Sequence, residues 1–443
     1  VSVAAGTIDR RAPAEASRAG ERRRRFTLAL AGFLGLLLVL AVAEIMIDGS
    51  AGRSALIPKA PSISKWLGAI GEPLGYRVFL IALLTFTGAY AALAVMARQL
   101  PSRFVIALIA ALHLIVFIGP ILLSTDVFSY IAYARMGVVH GINPYIHGPI
   151  AIKYDPVFPY QGQSWLKTAT AYGPLYTLLS YPLAPLGVVG ALWGFKLEAL
   201  LASAATLVLT WRVAARRGLN PTPALLLVGA NPLYIIYGLA GAHNDVIMTA
   251  FLMGAVALAL SGRDSWSGAS VIAGTLVKAT SAAMLPFMIV GRRRVGTITG
   301  ALAALLAGAL VGYVAFGIHG LDIVAALNRD AAFVSSDSFP TELAHLIGKP
   351  GVYPVDHTFL KAALAVVLVY LLWRTWRGYD WIAASGWALL AIAVTASWLL
   401  AWYTLWALPL AVVVRDRRLL IATLAVQGLF IIHQAAPLIA PVQ

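Results

Sequence analysis

The chain has 443 residues, 60% of them hydrophobic and only 12% charged, with a formal net charge of +15. A soluble fold of that length needs about 25% charged residues to cover its surface, so composition excludes one. A mean hydropathy of +0.83 places the chain in a bilayer, and the absence of cysteine removes disulfides, Cys-ligated zinc and thiol nucleophiles.

Apolar runs of roughly 18–23 residues recur along the chain, each able to cross a hydrocarbon core of ~30 Å. The basic residues fall in the short breaks between them, which is the positive-inside pattern and argues against nucleic acid as a partner. The reading is an all-α integral membrane bundle of about 11–13 transmembrane helices, with loops that carry interfacial helices. Residues 1–25 are expected to be a disordered cytoplasmic tail and 26–443 a single transmembrane catalytic domain.

With arginines placed inside, the first span is 26–47, and spans 78–97 and 104–123 form a hairpin around Arg98 and Arg103. The chain then stays outside over 124–185, where the Tyr- and Pro-rich stretch 171–185 reads as an interfacial or re-entrant helix. A span near 187–211 ends at Arg212, Arg216 and Arg217, and spans 223–239 and 246–260 turn outside between them. Segment 266–290 begins and ends inside, between Arg263 and Arg292 to Arg294. It therefore predicts two half-helices with Lys278 at their tip, an arrangement tolerated where backbone lines a cavity. Span 295–316 leads to a second outer loop, 317–354, read as an acceptor-side lid with no assigned residue. Spans near 358–373, 381–399, 403–414 and 419–432 complete the chain.

The first outer loop opens with Ser124-Thr125-Asp126-Val127-Phe128-Ser129-Tyr130. Asp126 has two readings: a general base for a hydroxyl held at the membrane rim, or an N-cap for the next helix. Tyr130 belongs to an aromatic helix face, and Arg135 either neutralises a phosphate or snorkels. Gly141-Ile142-Asn143-Pro144-Tyr145 and Tyr172-Gly173-Pro174 carry turn signals; with Trp165 they form an aromatic loop suited to sugars. In Gly241-Ala242-His243-Asn244-Asp245 the polar side chains either bind hydroxyls or phosphate, or cap the following span. Lys278 is an ionisable group inside a membrane segment and so a site candidate, with phosphate as its partner or snorkelling as the alternative. Lys196 and Glu198 are read as a pair, or Lys196 as a second phosphate contact. Glu44 and Asp48 rival Asp126 as the carboxylate. Trp402-Tyr403-Thr404-Leu405-Trp406 reads first as an interfacial belt and second as a lipid groove. The acidic and histidine residues of the second outer loop, His357 among them, match no metal spacing. There is no phosphate-binding Gly-rich loop ending in Lys-Ser/Thr, no Gly-x-Ser-x-Gly and no His-Glu-x-x-His, so ATP hydrolysis, serine hydrolysis and zinc proteolysis lack a carrier.

These five motifs, in order from Ser124 to Trp406, resemble the polyprenol-phosphate-mannose-dependent α-mannosyltransferases of actinobacterial lipomannan synthesis, GT-C class membrane glycosyltransferases. Phe128 departs from an expected Tyr. The resemblance implies a multi-pass protein of the bacterial plasma membrane with its N-terminus cytoplasmic and its active site extracytoplasmic, in the 124–185 loop. It implies an inverting transfer of mannose from a polyprenyl-phosphate sugar donor to a glycolipid or lipoglycan acceptor, giving an α linkage, with 1→6 as the expected position. Asp126 would be the base, and neither a cofactor nor a metal is required. Lys278, His243 and Arg135 would face the donor phosphate; Tyr130, Asn143, Tyr145, Tyr172, Asn244 and Asp245 would bind substrate. Membrane lipids are the remaining partners. Two rivals stand beside this reading: a GT-C transferase for another lipid-linked sugar, arabinofuranose or glucose, and a lipid-linked-sugar flippase or transporter, since broken helices also mark transporters.

Overall fold

A computed structural model describes residues 11–51, 56, 69–321 and 333–439. Residues 1–10 of the expected tail and 322–332 of the second outer loop lie outside the described residues. Their regular structure is entirely helical, with no strand among them. The longer helices are α1 (Arg11–Gly49), α2 (Tyr76–Met96), α3 (Ser102–Ile118), α4 (Asp126–Val138), α5 (Gly187–Arg216) and α6 (Pro221–Gly229). After them come α7 (Asn244–Leu260), α8 (Asp264–Thr275), α9 (Met284–Arg292), α10 (Val295–Phe316), α11 (Pro354–Trp376), α12 (Trp381–Thr395) and α13 (Arg417–Ile439).

Among the described residues, six helical segments are long and apolar enough to cross a membrane: Gly20–Gly49, Tyr76–Gln99, Pro174–Arg216, Val295–Leu321, Pro354–Trp376 and Arg417–Ala435. Three shorter apolar helices, α3, α7 and α12, stand beside them. The protein is thus an all-α polytopic membrane protein. Several expected spans are interrupted rather than continuous. The 223–239 run splits into α6 and a π-helix, Tyr234–Leu239, because Pro232 disfavours helical backbone at Asn231. The Asn231 side chain makes good the lost bonds, accepting from the Tyr234 N–H at 3.1 Å and donating to Gln427 Oε1 at 2.8 Å. The 403–414 run is a 3₁₀ turn, Ala401–Leu405, followed by the four-residue helix Leu408–Ala411.

Helix α1 begins at Arg11, within the segment expected to be a tail. Ala, Glu and Arg there favour helix, and Glu21 accepts from Arg25 one turn on at 2.7 Å.

Helix α1 packs on α2 and α3, while α5, α7, α8 and α10 follow one another as neighbours. The α8–α10 crossing is close because glycines face backbone. A Cβ on Gly300 would strike the Ser265 carbonyl, and one on Gly268 the Thr297 carbonyl; small residues allow this approach where lipid supplies no hydrophobic drive. Gly300→Val is expected to cost about 1–3 kcal/mol through overpacking, read as a fall in the thermal midpoint of the purified protein. An unchanged midpoint would show that the crossing relaxes freely.

The broken segment appears as expected: α8 ends at Thr275, Lys278 has extended backbone, and the chain resumes in a 3₁₀ turn before α9. Its exposed carbonyls are met by the start of the short helix Pro174–Ser180. Gly173 donates to Val277 O at 3.2 Å, and Leu175 and Tyr176 donate to Leu276 O at 3.1 and 3.3 Å. The free N–H groups of one helix start thereby satisfy the free carbonyls of another helix end. Gly173 lies so close to Leu276 O that any Cβ would collide with it. The Tyr172-Gly173-Pro174 motif is therefore the clamp that fixes Lys278.

Candidate active site

Asp126 opens α4 immediately after a turn in which Leu123 takes a left-handed conformation (φ 61°), a local strain typical of functional sites. The capping alternative is not realised. Thr125 stands at the cap position, the Asp126 carboxylate makes no cap bond, and its backbone N–H donates instead to Ser124 Oγ at 3.1 Å. The carboxylate reaches a cavity of about 350 Å³ that is also lined by Ser129, Tyr130, Tyr133, Trp165, Tyr172, Lys278, His357, Lys361, Trp398, Trp402, Tyr403 and Trp406. That size, walled by aromatics with few polar groups, suits a small organic ligand.

Three sequence motifs interlock beneath it. His243, whose turn is forced by a left-handed Ala242 (φ 50°), stacks on Trp402 with ring centroids 3.6 Å apart. Its Nδ1 lies 3.5 Å from Asp126 Oδ2, and neither ring nitrogen has a hydrogen-bond partner among the described residues. Lys278 Nζ donates to both Asp245 oxygens at 2.8 Å and sits over the rings of Tyr403 (4.6 Å) and Trp406 (5.4 Å). Trp406 Nε1 donates to the same Asp245 at 2.5 Å. Gln427 holds the aromatic segment from behind, donating to Thr404 O at 3.1 Å. Trp402 and Trp406 are buried, so the interfacial-belt reading is corrected: these tryptophans are walls of the cavity.

Burial pushes the Asp126 carboxyl pKa upward, but His243, the charge of Lys278 and the Ser124 hydroxyl outweigh it and hold it below its ordinary value. The group is therefore a carboxylate at neutral pH, the form a base requires.

The remaining expected residues divide between cavity and scaffold. Tyr130 and Tyr172 line the cavity and meet edge to face at 4.9 Å. Asn143 does not reach it. Its amide donates to Phe316 O at 2.7 Å and accepts from the Tyr145 N–H at 3.0 Å, closing a local turn. Tyr145 donates to Tyr172 O at 2.8 Å and meets the Thr177 hydroxyl, so it braces the clamp. Asp245 is spent on Lys278 and Trp406. Asn244 is buried with both amide atoms unpartnered among the described residues.

Arg135 also departs from expectation. It grips Asp155 with two parallel bonds of 2.8 Å and donates to Ala184 O at 3.1 Å. Asp155 further accepts from His140 Nε2 at 2.7 Å and the Val157 N–H at 2.9 Å. Burial raises the Asp155 pKa, but Arg135, His140 and that N–H together hold it below its usual value. This cluster pins the loop that follows α4 back onto that helix; Arg135 is a brace and not a cavity residue. Lys196 and Glu198 do not pair. Lys196 donates to Val116 O and Gly119 O at the end of α3, where a cation suits the carbonyl-rich terminus. Glu44 and Asp48 are absent from the cavity lining, and Asp48 accepts from the Glu72 N–H at 3.1 Å.

Sequence reasoning gave no role to Asp155, Lys361 or Trp398, and left His357 as a loop residue. The i, i+4 spacing of His357 and Lys361 on a helix was the one readable signal.

Fold and site together define a class: an all-helical, multi-pass membrane protein with an aromatic-walled cavity built around an ionised carboxylate. Residues 29–293 match the family described as alpha-(1->6)-mannopyranosyltransferase, N-terminal domain, and residues 352–437 match the MptB C-terminal domain; the chain belongs to this mannopyranosyltransferase family. Alpha-(1->6)-mannopyranosyltransferase A of Mycobacterium tuberculosis is 27% identical over 346 residues, covering 70% of this chain and 66% of that relative. The protein of the same name from Corynebacterium glutamicum is 31% identical over 182 residues, 40% of this chain and 36% of the relative. Alpha-(1->6)-mannopyranosyltransferase B of the latter organism is 25% identical over 344 residues, 66% of this chain and 57% of the relative. The chain thus spans less than two thirds of these relatives' own lengths. No solved structure matches it significantly.

Proposed function

We propose that the protein transfers mannose from a polyprenyl-phosphate-mannose donor to a glycolipid or lipoglycan acceptor on the extracytoplasmic face, forming an α(1→6) linkage with inversion. The observation that carries this reading is the ionised Asp126 at the wall of an aromatic cavity, in a chain whose family is named for mannosyl transfer.

The reaction asks little acid chemistry of the protein. Asp126 takes the proton of the acceptor hydroxyl as its oxygen bonds to the anomeric carbon, and the C1–O bond to phosphate breaks with its electrons on the phosphate. Phosphate is a competent leaving group, so positioning and charge placement supply the rate. Tyr130, Tyr172 and Trp402 offer faces and edges against which a sugar ring can rest. Lys278, held in place by Asp245, adds to His243 in favouring the ionised form of Asp126.

The depressed Asp126 pKa sets the acid limb of the pH profile. A base that holds its charge below the ordinary carboxylate range, near 4 for free Asp, loses activity only when pH falls through its own lower pKa. The kcat/KM of transfer is therefore expected to stay flat from neutrality down to about pH 4 as far as this group is concerned. A limb centred near pH 6 would assign the base elsewhere.

The donor is tested by presenting purified protein with polyprenyl-phosphate-linked mannose, arabinofuranose and glucose in turn. Transfer from mannose alone supports the reading. Transfer only from another sugar would sink it in favour of a related transferase, and ATP- or gradient-free movement of the lipid across the bilayer without transfer would favour a flippase.

A further inference from the structure

The three basic side chains that the sequence offers to the donor phosphate are all committed elsewhere. Arg135 is bound to Asp155, Lys278 to Asp245, and His243 is buried behind Asp126 and stacked on Trp402. An anionic leaving group in this cavity needs another partner, and α11 supplies one. Its cavity-facing stripe is His357, Leu360, Lys361 and Leu364, the i, i+3, i+4, i+7 spacing of one helix face. Of its 23 residues only Leu371 and Thr375 are buried, so α11 stands at the bundle's edge with its other faces turned outward. His357 Nδ1 is 3.2 Å from the Ser397 hydroxyl, and Lys361 has no hydrogen bond or ion pair among the described residues.

The stripe has the polarity of a lipid phosphate. The Lys361 ammonium and the His357 imidazole lie within the first two turns of α11, and the leucines, with Ile392 of α12, continue an apolar wall. Helix α11 packs on α9 and α12, while α4 packs on α5 and the helix Pro174–Ser180. Base and stripe therefore belong to different walls of one cavity, as a displacement with inversion requires of its base and its leaving group.

We propose that Lys361 and His357 hold the phosphate of the lipid-linked donor, with the first isoprene units lying along Leu360, Leu364 and Ile392. The inference rests on the lipid-phosphate donor proposed above, and the test separates the two. Purified full chain in phosphatidylcholine nanodiscs is titrated with radiolabelled polyprenyl phosphate, with polyprenol and inorganic phosphate as competitors. Wild type is expected to prefer the lipid phosphate to polyprenol by about tenfold or more, the worth of one charge-assisted contact, with inorganic phosphate a weak competitor. Lys361→Met should abolish the preference, Lys361→Arg should keep most of it, and Asp126→Asn should leave it intact. If the preference survives in monodisperse Lys361→Met and His357→Ala proteins, the α11 assignment is wrong and the donor class stands. If wild type shows no preference, the lipid-phosphate donor falls along with it. Equal competition by inorganic phosphate would overturn the apolar wall as part of the site.

Discussion

Replacing Asp126 by Asn is expected to lower the rate of transfer by about 10²–10⁴-fold, the usual contribution of a positioned general base, with little change in folding. The substitution keeps the side chain's shape and leaves the bond from the Asp126 backbone N–H to Ser124 Oγ in place. It removes only the proton acceptor and its attraction to His243 and Lys278. A loss confined to kcat, with substrate binding and thermal midpoint near wild type, identifies Asp126 as the base. Wild-type turnover in Asp126→Asn would move the role to another group.

The second large effect is structural. Asp245 is 1% exposed, and it pairs with Lys278 while also accepting the Trp406 indole N–H. Asp245→Ala leaves a mostly buried ammonium unpaired, a change that costs about 3–5 kcal/mol in comparable settings, and it orphans the indole donor as well. The expected result is a large fall in thermal midpoint or loss of folded protein from the membrane. Asp245→Asn, which keeps an acceptor for Trp406, should fall between wild type and Asp245→Ala. A double replacement, Asp245→Ala with Lys278→Met, removes both charges and should recover part of the loss. If the single variants were as stable as wild type, the interlock of the three motifs would not hold the cavity together.

The sequence made some of this visible for identifiable reasons. Apolar run length and arginine placement were enough for the helical membrane class. Arg263 and Arg292 to Arg294 on either side of 266–290 forced a break, and the break is where Lys278 sits. Asp126 was legible because it follows directly on an apolar run. What sequence spacing cannot carry is partnership across the fold. Lys278 meets Asp245 from 33 positions away and Trp406 meets Asp245 from 161, so three motifs that each had a bland reading form one unit. Trp402 and Trp406 looked like a belt because aromatic residues at the head of a span look the same facing headgroups or facing a cavity. Arg135 looked free because Asp155, its partner, lies 20 residues on, beyond a turn. His357 read as a loop residue and Lys361 had no reading, because only packing shows that both lie on a helix face that looks into the cavity.

The most direct test of the central claim is the anomeric outcome of one turnover. Purified protein is given β-mannosyl-1-phospho-polyprenol and a mannoside acceptor, and the new glycosidic bond is assigned by NMR, with Asp126→Asn in parallel. An α(1→6)-linked product from wild type, released with polyprenyl phosphate and missing from the variant, is the result this account requires. A β-linked product, or equal product from Asp126→Asn, would contradict it.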